Sequence, residues 1–324
     1  MKVGIFGCGA YGLALSSILV ENKHEVTMWT RFEEERINLE TNRCNEKKLA
    51  NFKLDDSIKI TTSLEELIKG KDLLIIAIPA AYVDDLAKDI APFIKNNHIL
   101  IATKGIEQDT GLFINQILKK HIKTKNIAVI SGPSFAVDLI TKMPAGLSLA
   151  SKSNKTMKIC RDALANNYIK VAETKDIIGT EICGSIKNVI ALSAGMLEGL
   201  GANDSTTAML LTEATKDMMA IMRAFRANKK TVISFAGLGD LLLTCTSVKS
   251  RNFRFGKLVG SGATKEEIDE FLKETTVEGY YTLESIYKLL QDKKVSMPII
   301  DLIYDIVIND TNPKELLTFL VEKG

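Results

Sequence analysis

Histidine is scarce in this sequence, and cysteine occurs without the spacing of a metal site. The 324 residues include three histidines and five cysteines. No two cysteines form a CxxC pair, and no cysteine stands at a zinc-ligand spacing from a histidine. We therefore expect no bound metal. An odd number of scattered thiols is typical of the reducing cytoplasm, so we expect a cytoplasmic protein.

The sequence also lacks an excess of charge of one sign and a long apolar run. The formal net charge is +2, and no dense basic stretch is interleaved with aromatic residues. We therefore expect no nucleic-acid partner. The longest wholly apolar stretch, residues 73–82, is too short to cross a bilayer, so we expect no membrane insertion. The length and the 46% apolar content suit a globular protein of two domains.

What the sequence does contain, from its second residue onward, is a strand, a glycine-rich loop and a helix. Residues 2–6 are predicted to be a buried strand and residues 11–20 a helix, with Gly7, Gly9 and Gly12 at the junction. In a dinucleotide site such glycines make the tight turn, admit the pyrophosphate and let helix and strand pack closely. The helix N-terminus then presents free N–H groups to the phosphates. We predict a cofactor site at Gly7, Gly9, Ala10, Tyr11 and Gly12; the alternative is a glycine-rich turn of any α/β protein.

The end of the second predicted strand, residues 25–30, bears on the choice of cofactor. Many NAD sites place an acidic residue about 20 positions after the glycines to bind the ribose 2′-hydroxyl. Arg31 stands near that position, and the acidic run 33–35 comes afterwards. An arginine suits a 2′-phosphate, which favours NADP over NAD without excluding NAD. The alternative is that Arg31 is a solvated residue leading into the next helix.

The first half of the chain alternates predicted strands with helices. Continuous apolar runs such as residues 73–78 are typical of parallel strands covered on both faces. Residues 62–66 resemble the capping box of a helix. From about residue 179, apolar residues recur at the helical period instead. We predict a Rossmann-type, doubly wound α/β sheet in a dinucleotide-binding domain of residues 1–178, followed by an all-helical substrate-binding domain of residues 179–324.

Hydride transfer requires a group that exchanges a proton with the substrate oxygen. The three histidines, His24, His98 and His121, occupy apparent edge positions next to predicted elements. None of the seven tyrosines has a lysine four residues later, which excludes the dyad of short-chain dehydrogenases. Lysine therefore remains as the candidate residue type.

Two lysines are candidates for this role. Lys104 follows a predicted strand at its carboxyl end, where open α/β sheets bind their ligands. Lys187 lies within an otherwise apolar helix, where desolvation would lower its pKa towards that of a proton donor at neutral pH. The alternative for Lys187 is that its ammonium group reaches water from a mostly buried helix.

Three further segments carry polar groups that could contribute to the site. Residues 131–136 follow a strand and open a helix with a proline near its first turn, a geometry that presents N–H groups to an anion. An ordinary cap by Ser131 or Ser134 is the alternative. On one face of a predicted helix, Asp240 and Thr244 could orient a lysine. Arg251 could bind a phosphate bidentately. A helix cap and a solvated surface are the respective alternatives for Asp240 and Arg251.

Over essentially its whole length the sequence resembles the bacterial-type NAD(P)-dependent glycerol-3-phosphate dehydrogenases. The resemblance consists of several ordered motifs at the spacing of that family. The matching segments are residues 7–12, 103–107, 132–136, 183–189, 237–246, 250–256, 277–280 and 297–299.

The resemblance implies reversible reduction of dihydroxyacetone phosphate to sn-glycerol 3-phosphate for phospholipid synthesis. It implies Lys187 as the proton donor or acceptor, with Lys104 binding and polarising the substrate and with Asp240 and Thr244 orienting the lysine cluster. Ser250, Arg251 and Asn252 are implied to take the substrate phosphate. The other implied substrate-side residues are Gly132, Ser134, Asn188 and Asp240. Those near the cofactor are Lys104, Ala136, Arg251 and Glu278. Dimerisation through the helical domain stays open.

The chain departs from the family pattern at a few positions. Residues 202–207 replace a short segment that leads to an Arg-Gly pair, and Glu213 with Ala214 stands where that pair is expected. Ala10 replaces a common serine of the glycine loop. Two other readings therefore remain: a reductase of another small keto acid or keto phosphate, and a non-catalytic NAD(P)-binding sensor.

Overall fold

The computed structural model describes residues 1–107 and 110–322, and the chain divides into two compact units. The first comprises Met1–Lys104 and Ile114–Ile177, and the second comprises Gly105–Phe113 and Ile178–Gly324. The sequence-based division at residue 178 left residues 105–113 in the first domain. Ile106 and Phe113 are instead buried in the core of the second unit. The last two residues of the predicted second domain lie outside the described ranges.

The first unit contains one eight-stranded sheet, in the order β3-β2-β1-β4-β5-β6-β7-β8. The pairs from β3 to β6 are parallel, β7 is antiparallel to β6, and β8 is parallel to β7. The predicted Rossmann-type sheet is therefore confirmed. The strands are β1 (Lys2–Phe6), β2 (Glu25–Trp29), β3 (Lys59–Thr61), β4 (Leu73–Ile76), β5 (His98–Ile101), β6 (Ile127–Ser131), β7 (Ala145–Ser151) and β8 (Ile169–Thr174).

Helices cover this sheet because its central strands are apolar on both faces; every residue of β4 and β6 is buried. The predicted capping box at residues 62–66 is half formed. Ser63 accepts a hydrogen bond from the Glu66 N–H, but the Glu66 carboxylate accepts from the Thr61 hydroxyl at 2.6 Å. The helices of this unit are α1 (Ala10–Glu21), α2 (Glu33–Asn42), α3 (Leu64–Ile68), α4 (Val83–Ile90), α5 (Ile114–His121), α6 (Ala136–Leu139) and α7 (Asn154–Leu164), with 3₁₀ turns at Ala80–Tyr82 and Ala91–Phe93.

The second unit is helical throughout its described residues apart from an isolated bridge between Ile106 and Phe113. Its core forms around α8, which is buried along almost its whole length. The helices are α8 (Ile177–Gly199), α9 (Asp204–Ala224), α10 (Asp240–Cys245), α11 (Arg251–Gly260), α12 (Lys265–Glu274), α13 (Glu278–Asp292), α14 (Pro298–Ile308) and α15 (Glu315–Glu322). A 3₁₀ helix (Lys229–Ile233) and a π-helical turn (Phe235–Gly239) precede α10.

Glycines let α8 and α11 approach until their backbones touch. A Cβ atom on Gly256 would lie 1.9 Å from the Leu192 carbonyl oxygen, and one on Gly195 would lie 2.0 Å from the Phe253 carbonyl oxygen. Gly199 and Gly260 are equally enclosed. Because the two backbones are in contact, the helix that carries Lys187 has a fixed position against the helix that begins at Arg251.

Among the described residues, one helix has the length and hydropathy of a membrane span. That helix is α8, and 94% of its most apolar 18-residue window is buried inside the protein. Buried apolar surface of this kind is typical of a core helix.

Candidate active site

The three glycines of the first loop have distinct surroundings, which fit the three roles predicted for them. Gly7 has φ +111°, and a Cβ atom there would lie 2.6 Å from the Ala77 carbonyl oxygen. A Cβ on Gly12 would lie 2.2 Å from the Gly7 carbonyl oxygen, so this glycine permits close packing of α1 on β1. Gly9 is the N-cap of α1, and a Cβ atom added to it would have no other atom within 4 Å. The loop thus leaves open the side on which a pyrophosphate approaches its backbone, and its residues fit a dinucleotide.

The segment that follows β2 contains an exposed cation, Arg31, and a half-buried carboxylate, Glu35, that is engaged within the protein. Arg31 is exposed and forms no recorded hydrogen bond or ion pair with the described residues. The Glu35 carboxylate accepts a hydrogen bond from the Thr30 hydroxyl at 2.5 Å and pairs with Lys48 at 2.6 Å. Sequence reasoning missed this pairing because Lys48 lies beyond α2. Its consequence is that Glu35 is engaged within the protein.

Four candidate residues of the first unit form one cluster around Lys104. The Lys104 ammonium donates to the Gly132 carbonyl oxygen at 3.4 Å and lies 5.9 Å from the centre of the Tyr11 ring. The Ser134 hydroxyl donates to the same carbonyl at 2.9 Å and shares a 3.1 Å hydrogen bond with the Tyr11 hydroxyl. Because Ser134 gives its only hydrogen to Gly132, Tyr11 is the donor to Ser134. Tyr11, expected only to contact cofactor, thus also helps to position Lys104.

The segment after β6 leads into a short helix. The helix α6 begins at Ala136 and has only four residues, and its N-cap, Phe135, makes no side-chain cap. Pro133 lies just before this cap, near the first turn of α6 but outside it. Neither Ser131 nor Ser134 caps α6, because the cap position is Phe135 and the Ser134 hydroxyl is used in the Lys104 cluster.

Lys187 is enclosed in the second unit with two predicted partners. Its ammonium nitrogen lies 2.7 Å from Asp240 Oδ1 and 2.8 Å from Thr244 Oγ1. The exposed fractions of the Lys187 and Asp240 side chains are 6% and 1%. Thr244 donates its own hydrogen to the Asp240 carbonyl oxygen at 2.6 Å, so its oxygen faces the ammonium as an acceptor. Lys187 therefore does not extend to solvent, and the alternative of a solvent-reaching side chain is wrong.

A π-helical turn places Asp240 beside Lys187. The turn Phe235–Gly239 leads directly into α10, of which Asp240 is the first residue. A Cβ on Gly237 would lie 2.2 Å from the Val232 carbonyl oxygen, so only glycine fits this point of the turn. π turns occur disproportionately at functional sites. The pair of glycines at 237 and 239 was the sequence signal for an irregular turn here.

The start of α11 presents an exposed cation and two side chains engaged in hydrogen bonds. Arg251 is exposed, whereas the Ser250 hydroxyl caps the helix by accepting from the Phe253 N–H at 3.2 Å. Asn252 donates through Nδ2 to Asn188 Oδ1 at 3.0 Å and accepts at Oδ1 from the Gly279 N–H at 2.8 Å. Sequence reasoning did not anticipate this second set of contacts.

The histidines hold structural contacts. His98 is the first residue of β5 and is buried, with Nδ1 2.9 Å from the Thr156 hydroxyl, so its predicted edge position is wrong. His121 ends α5, and its Nε2 lies 2.8 Å from Asp84 Oδ1. Within residues 1–107 and 110–322, no group of three His, Cys, Asp or Glu side chains is arranged to hold a metal ion.

Burial keeps the cysteines nearest to both candidate clusters in the thiol form. Desolvation raises the pKa of Cys8 in the glycine loop to about 12, and the nearby Glu35 carboxylate adds to this rise. Complete burial likewise raises the pKa of Cys245, which ends α10. A nucleophilic or metal-bound cysteine is a thiolate, so neither residue is suited to that chemistry at neutral pH.

Comparison with known proteins gives one consistent family. Residues 2–157 match the model of the N-terminus of NAD-dependent glycerol-3-phosphate dehydrogenase, and residues 176–318 match that of its C-terminus. A Staphylococcus epidermidis protein named glycerol-3-phosphate dehydrogenase [NAD(P)+] is 33% identical over 99% of this chain and 98% of its own length. An Agathobacter rectalis protein of the same name is 36% identical, with 99% and 95% covered. The crystal structure of glycerol-3-phosphate dehydrogenase from Coxiella burnetii superposes with a TM-score of 0.93 at 28% identity, covering 99% of this chain and 98% of the other.

Proposed function

This chain belongs to the NAD-dependent glycerol-3-phosphate dehydrogenase family, and we propose that Lys187 is the proton donor with which it reduces dihydroxyacetone phosphate. The enzyme is an NAD(P)-dependent oxidoreductase. The observation that carries the proposal is the enclosure of the Lys187 ammonium between Asp240 and Thr244, 2.7 and 2.8 Å away. Among the residues that the structure describes, Lys187 is the only buried lysine.

The proposed chemistry is a balanced proton and hydride transfer. A nicotinamide cofactor, when bound, would supply the hydride for the carbonyl carbon. Lys187 Nζ gives a proton to the carbonyl oxygen, which becomes the hydroxyl of glycerol 3-phosphate, and Lys187 is left as a neutral amine that regains a proton from water. In the reverse direction the neutral amine takes the hydroxyl proton.

Asp240 and Thr244 hold Lys187 in one orientation. The carboxylate stabilises the ammonium form before transfer, and the Asp240 and Thr244 side-chain oxygens both accept from the ammonium group. A lysine side chain fixed in this way loses little conformational freedom at the moment of reaction. We propose that these two residues orient the donor.

For the substrate phosphate we propose Arg251 as the principal ligand. Its guanidinium is exposed at the first position of α11, where helix dipole and side chain both favour an anion. Lys104, held by the Gly132 carbonyl oxygen, is proposed to bind and polarise the substrate, with Ser134 beside it. Ala136 and Glu278, each the first residue of a helix, stay proposed cofactor neighbours.

We infer a preference for NADP. The exposed Arg31 suits a 2′-phosphate, whereas the Glu35 carboxylate that could bind a 2′-hydroxyl is held by Thr30 and Lys48. The product would supply glycerophospholipid synthesis in the cytoplasm, where the five free thiols would remain reduced. A homodimer formed through the helical unit is a further proposal, which sedimentation velocity tests.

Substrate-dependent oxidation of NADPH and NADH by the purified protein and by Lys187→Ala tests the function. We expect rapid oxidation by the wild type with dihydroxyacetone phosphate, and loss of turnover in the variant with an unchanged dissociation constant for NADPH. Lys187→Met, which keeps the length of the side chain, controls for a cavity. Unaltered turnover in either variant contradicts the role of Lys187, whereas a wild type that binds nucleotide without turnover contradicts the activity itself.

A further inference from the structure

We propose that five lysines, at the end of the sheet where β5 and β6 begin, form a surface that binds reversibly to a bilayer with anionic lipid headgroups. We call them the lysine rim, and all are exposed: Lys95, Lys123, Lys125, Lys152 and Lys155. The contact is a docking on the surface of the bilayer, without insertion of a helix. It goes beyond the proposed function and does not depend on it.

Hydrogen bonds between connecting segments of the first unit bring the lysine rim together. The Asn126 side chain donates to the Asn96 carbonyl oxygen at 3.5 Å, so the segment with Lys125 lies against the segment with Lys95. Lys123 is two residues before Lys125 on the same segment. These three lysines thus precede the neighbouring strands β5 and β6.

A third segment, which follows β7, lies beside the other two. The Ser151 hydroxyl donates to the carbonyl oxygen of Ile127, the first residue of β6, at 2.7 Å, so Lys152 is next to the start of that strand. Burial lowers the pKa of His98, the first residue of β5, and the nearby charge of Lys155 adds to this effect. All five lysines therefore lie at one end of one sheet.

The charge of the lysine rim has no carboxylate beside it in the same segments. Residues 94–99, 122–127 and 151–156 contain neither Asp nor Glu. Within the part of the chain that the structure describes, no ion pair is recorded for any of the five lysines. Like charges repel, so a concentration of this kind opposes folding unless an anionic partner offsets it.

The end of β8 adds a further cation to this surface. The Lys175 ammonium donates to the Lys152 carbonyl oxygen at 3.5 Å. Two acidic residues flank it, Glu173 and Asp176, of which Glu173 pairs with Arg161 at 2.8 Å. The surface therefore keeps an excess of positive charge.

Stabilisation of helices does not account for the lysine rim. Cations are favourable at the C-terminus of a helix, where Lys119 and Lys120 stand in α5. Lys123 and Lys125 lie beyond the end of that helix. Lys155 is in the first turn of α7, where a cation is unfavourable and where no acidic residue is present. Binding of an external anionic surface explains lysines at these positions.

A bilayer fits this surface better than a nucleic acid does. All five cations are lysines, which attract phosphate as point charges and lack the planar fork with which arginine reads bases. Phe93 is 37% exposed in a 3₁₀ turn two residues before Lys95. An exposed aromatic ring beside lysines suits the boundary between headgroups and acyl chains, and clustered lysines are attracted to anionic lipid.

Docking at this end of the sheet leaves the cofactor loop accessible. The strands β1, β4, β5 and β6 are parallel, so their carboxyl ends share the opposite end of the sheet. The glycine loop follows β1 there, and Lys104 follows β5. The lysine rim is therefore separate from the candidate active site of the first unit.

Flotation of the purified protein with lipid vesicles tests the proposal. The vesicles contain either phosphatidylcholine alone or equal parts of phosphatidylcholine and phosphatidylglycerol. We expect binding to the anionic vesicles at about 50 mM salt and its loss at about 500 mM, because salt screens exposed charges. Equal binding to both kinds of vesicle, or binding to neither, would overturn the proposal.

Paired variants assign the binding to the lysine rim. Lys123→Gln/Lys125→Gln should lower the partition coefficient for anionic vesicles by about tenfold or more, since each lysine near such a surface contributes about fivefold. Lys265→Gln/Lys273→Gln removes the same charge from exposed positions of α12 and should bind as the wild type does. Wild-type binding by the first variant would contradict a role of the lysine rim.

Two further measurements keep the test decisive. If circular dichroism shows that Lys123→Gln/Lys125→Gln is not folded, Lys95→Gln/Lys152→Gln removes the same charge from the other two segments, with the same expected result. Binding of a labelled DNA duplex is measured in parallel. Duplex binding that these variants weaken, without binding to vesicles, would replace the bilayer by a nucleic acid as the partner.

Discussion

Lys187 and Asp240 form an ion pair whose two side chains are almost completely removed from water, with 2.7 Å between Nζ and Oδ1. Desolvation of two charges is costly, and well-packed apolar residues at such positions often stabilise a fold equally well. An ion pair retained at this depth therefore points to chemistry rather than stability. Its partners come from α8 and from the turn of α10 that follows the π-helical segment.

Replacement of Asp240 by asparagine should show how much turnover depends on the negative charge of the carboxylate that faces Lys187. The amide keeps the size of the side chain but leaves the Lys187 ammonium without a buried counter-charge, and we expect turnover to fall by roughly 10²-fold or more, within the range of general acid–base effects. Loss of one partner of a buried pair should also lower the free energy of unfolding by about 3–5 kcal/mol. Steady-state kinetics and urea unfolding measure these two effects separately.

Asp85→Asn is the control for this variant, because the Asp85 carboxylate is exposed and forms only a surface ion pair with Lys88, at 3.5 Å. It should change neither turnover nor stability measurably. Wild-type turnover by Asp240→Asn would show that the carboxylate does not orient the donor.

Asp217 should make the stability of the helical unit depend on pH. Its Oδ2 accepts from the N–H groups of Ile299 and Ile300 at the start of α14, while burial raises its pKa from 3.8 to about 7. The neighbouring carboxylates of Asp301 and Glu213 contribute to the rise. Because the folded state holds the proton to higher pH than the unfolded state, the stabilising contribution is complete below pH 4 and is lost as pH rises through 7.

Asp217→Asn isolates this effect, because its amide oxygen can accept both N–H groups and carries no charge. We expect the variant to match the wild type at pH 4 and to exceed it in free energy of unfolding at pH 8, by on the order of 1 kcal/mol or more. Urea unfolding, followed by helical circular dichroism between pH 4 and 8, measures the difference. Exposed Glu284→Gln should leave the wild-type pH curve unchanged. A difference independent of pH would be inconsistent with titration of Asp217.

Gly256→Ala should separate α8 from α11. The added methyl group would lie 1.9 Å from the Leu192 carbonyl oxygen, so the backbones must part. We expect a loss of about 1–3 kcal/mol in free energy of unfolding, despite the better helix propensity of alanine. Thermal unfolding measures it. Lys257→Ala is the control, because it removes only a surface ion pair to Glu198 on the exposed face of α11 and should change the free energy of unfolding little. Equal stability of the two variants would argue against contact between the backbones of α8 and α11.

Arg31→Gln tests the inferred cofactor preference. Loss of a charge-assisted contact with a 2′-phosphate should lower kcat/KM for NADPH by roughly 10–100-fold and leave that for NADH nearly unchanged. The neighbouring cation Arg36 pairs with Glu33 and Glu40 on α2, so Arg36→Gln is the control and should leave the ratio of the two cofactors as it is. Equal losses for both cofactors in Arg31→Gln would assign Arg31 to a part of the nucleotide that they share.

Local patterns were sufficient to predict the sheet and the glycine loop. The buried run at β4 and the spacing of Gly7, Gly9 and Gly12 are signals carried by adjacent residues, and the structure agrees with both. Side-chain pairing was predictable only where two candidates shared a helical face, as Asp240 and Thr244 do.

Contacts between distant residues were not predictable. Asn252 and Asn188 are 64 positions apart in the sequence. Neither is charged, and no regular spacing relates them, so the sequence gives no indication that they pair. His98 was misjudged because a polar residue at a strand end gives no sign of the Thr156 hydroxyl that satisfies it.

Residues 105–113 belong to the second unit, and this limits where chimaeras between this protein and its relatives can be joined. Phe113 is fully buried and packs edge-on against Phe225, with 5.4 Å between ring centres. A chimaera joined at residue 177 would place the Phe113 of one parent against the Phe225 position of the other. Recombination that keeps this core intact must transfer the codons for residues 105–113 together with those for residues 178–324. The helical unit is therefore inherited as two segments of the gene.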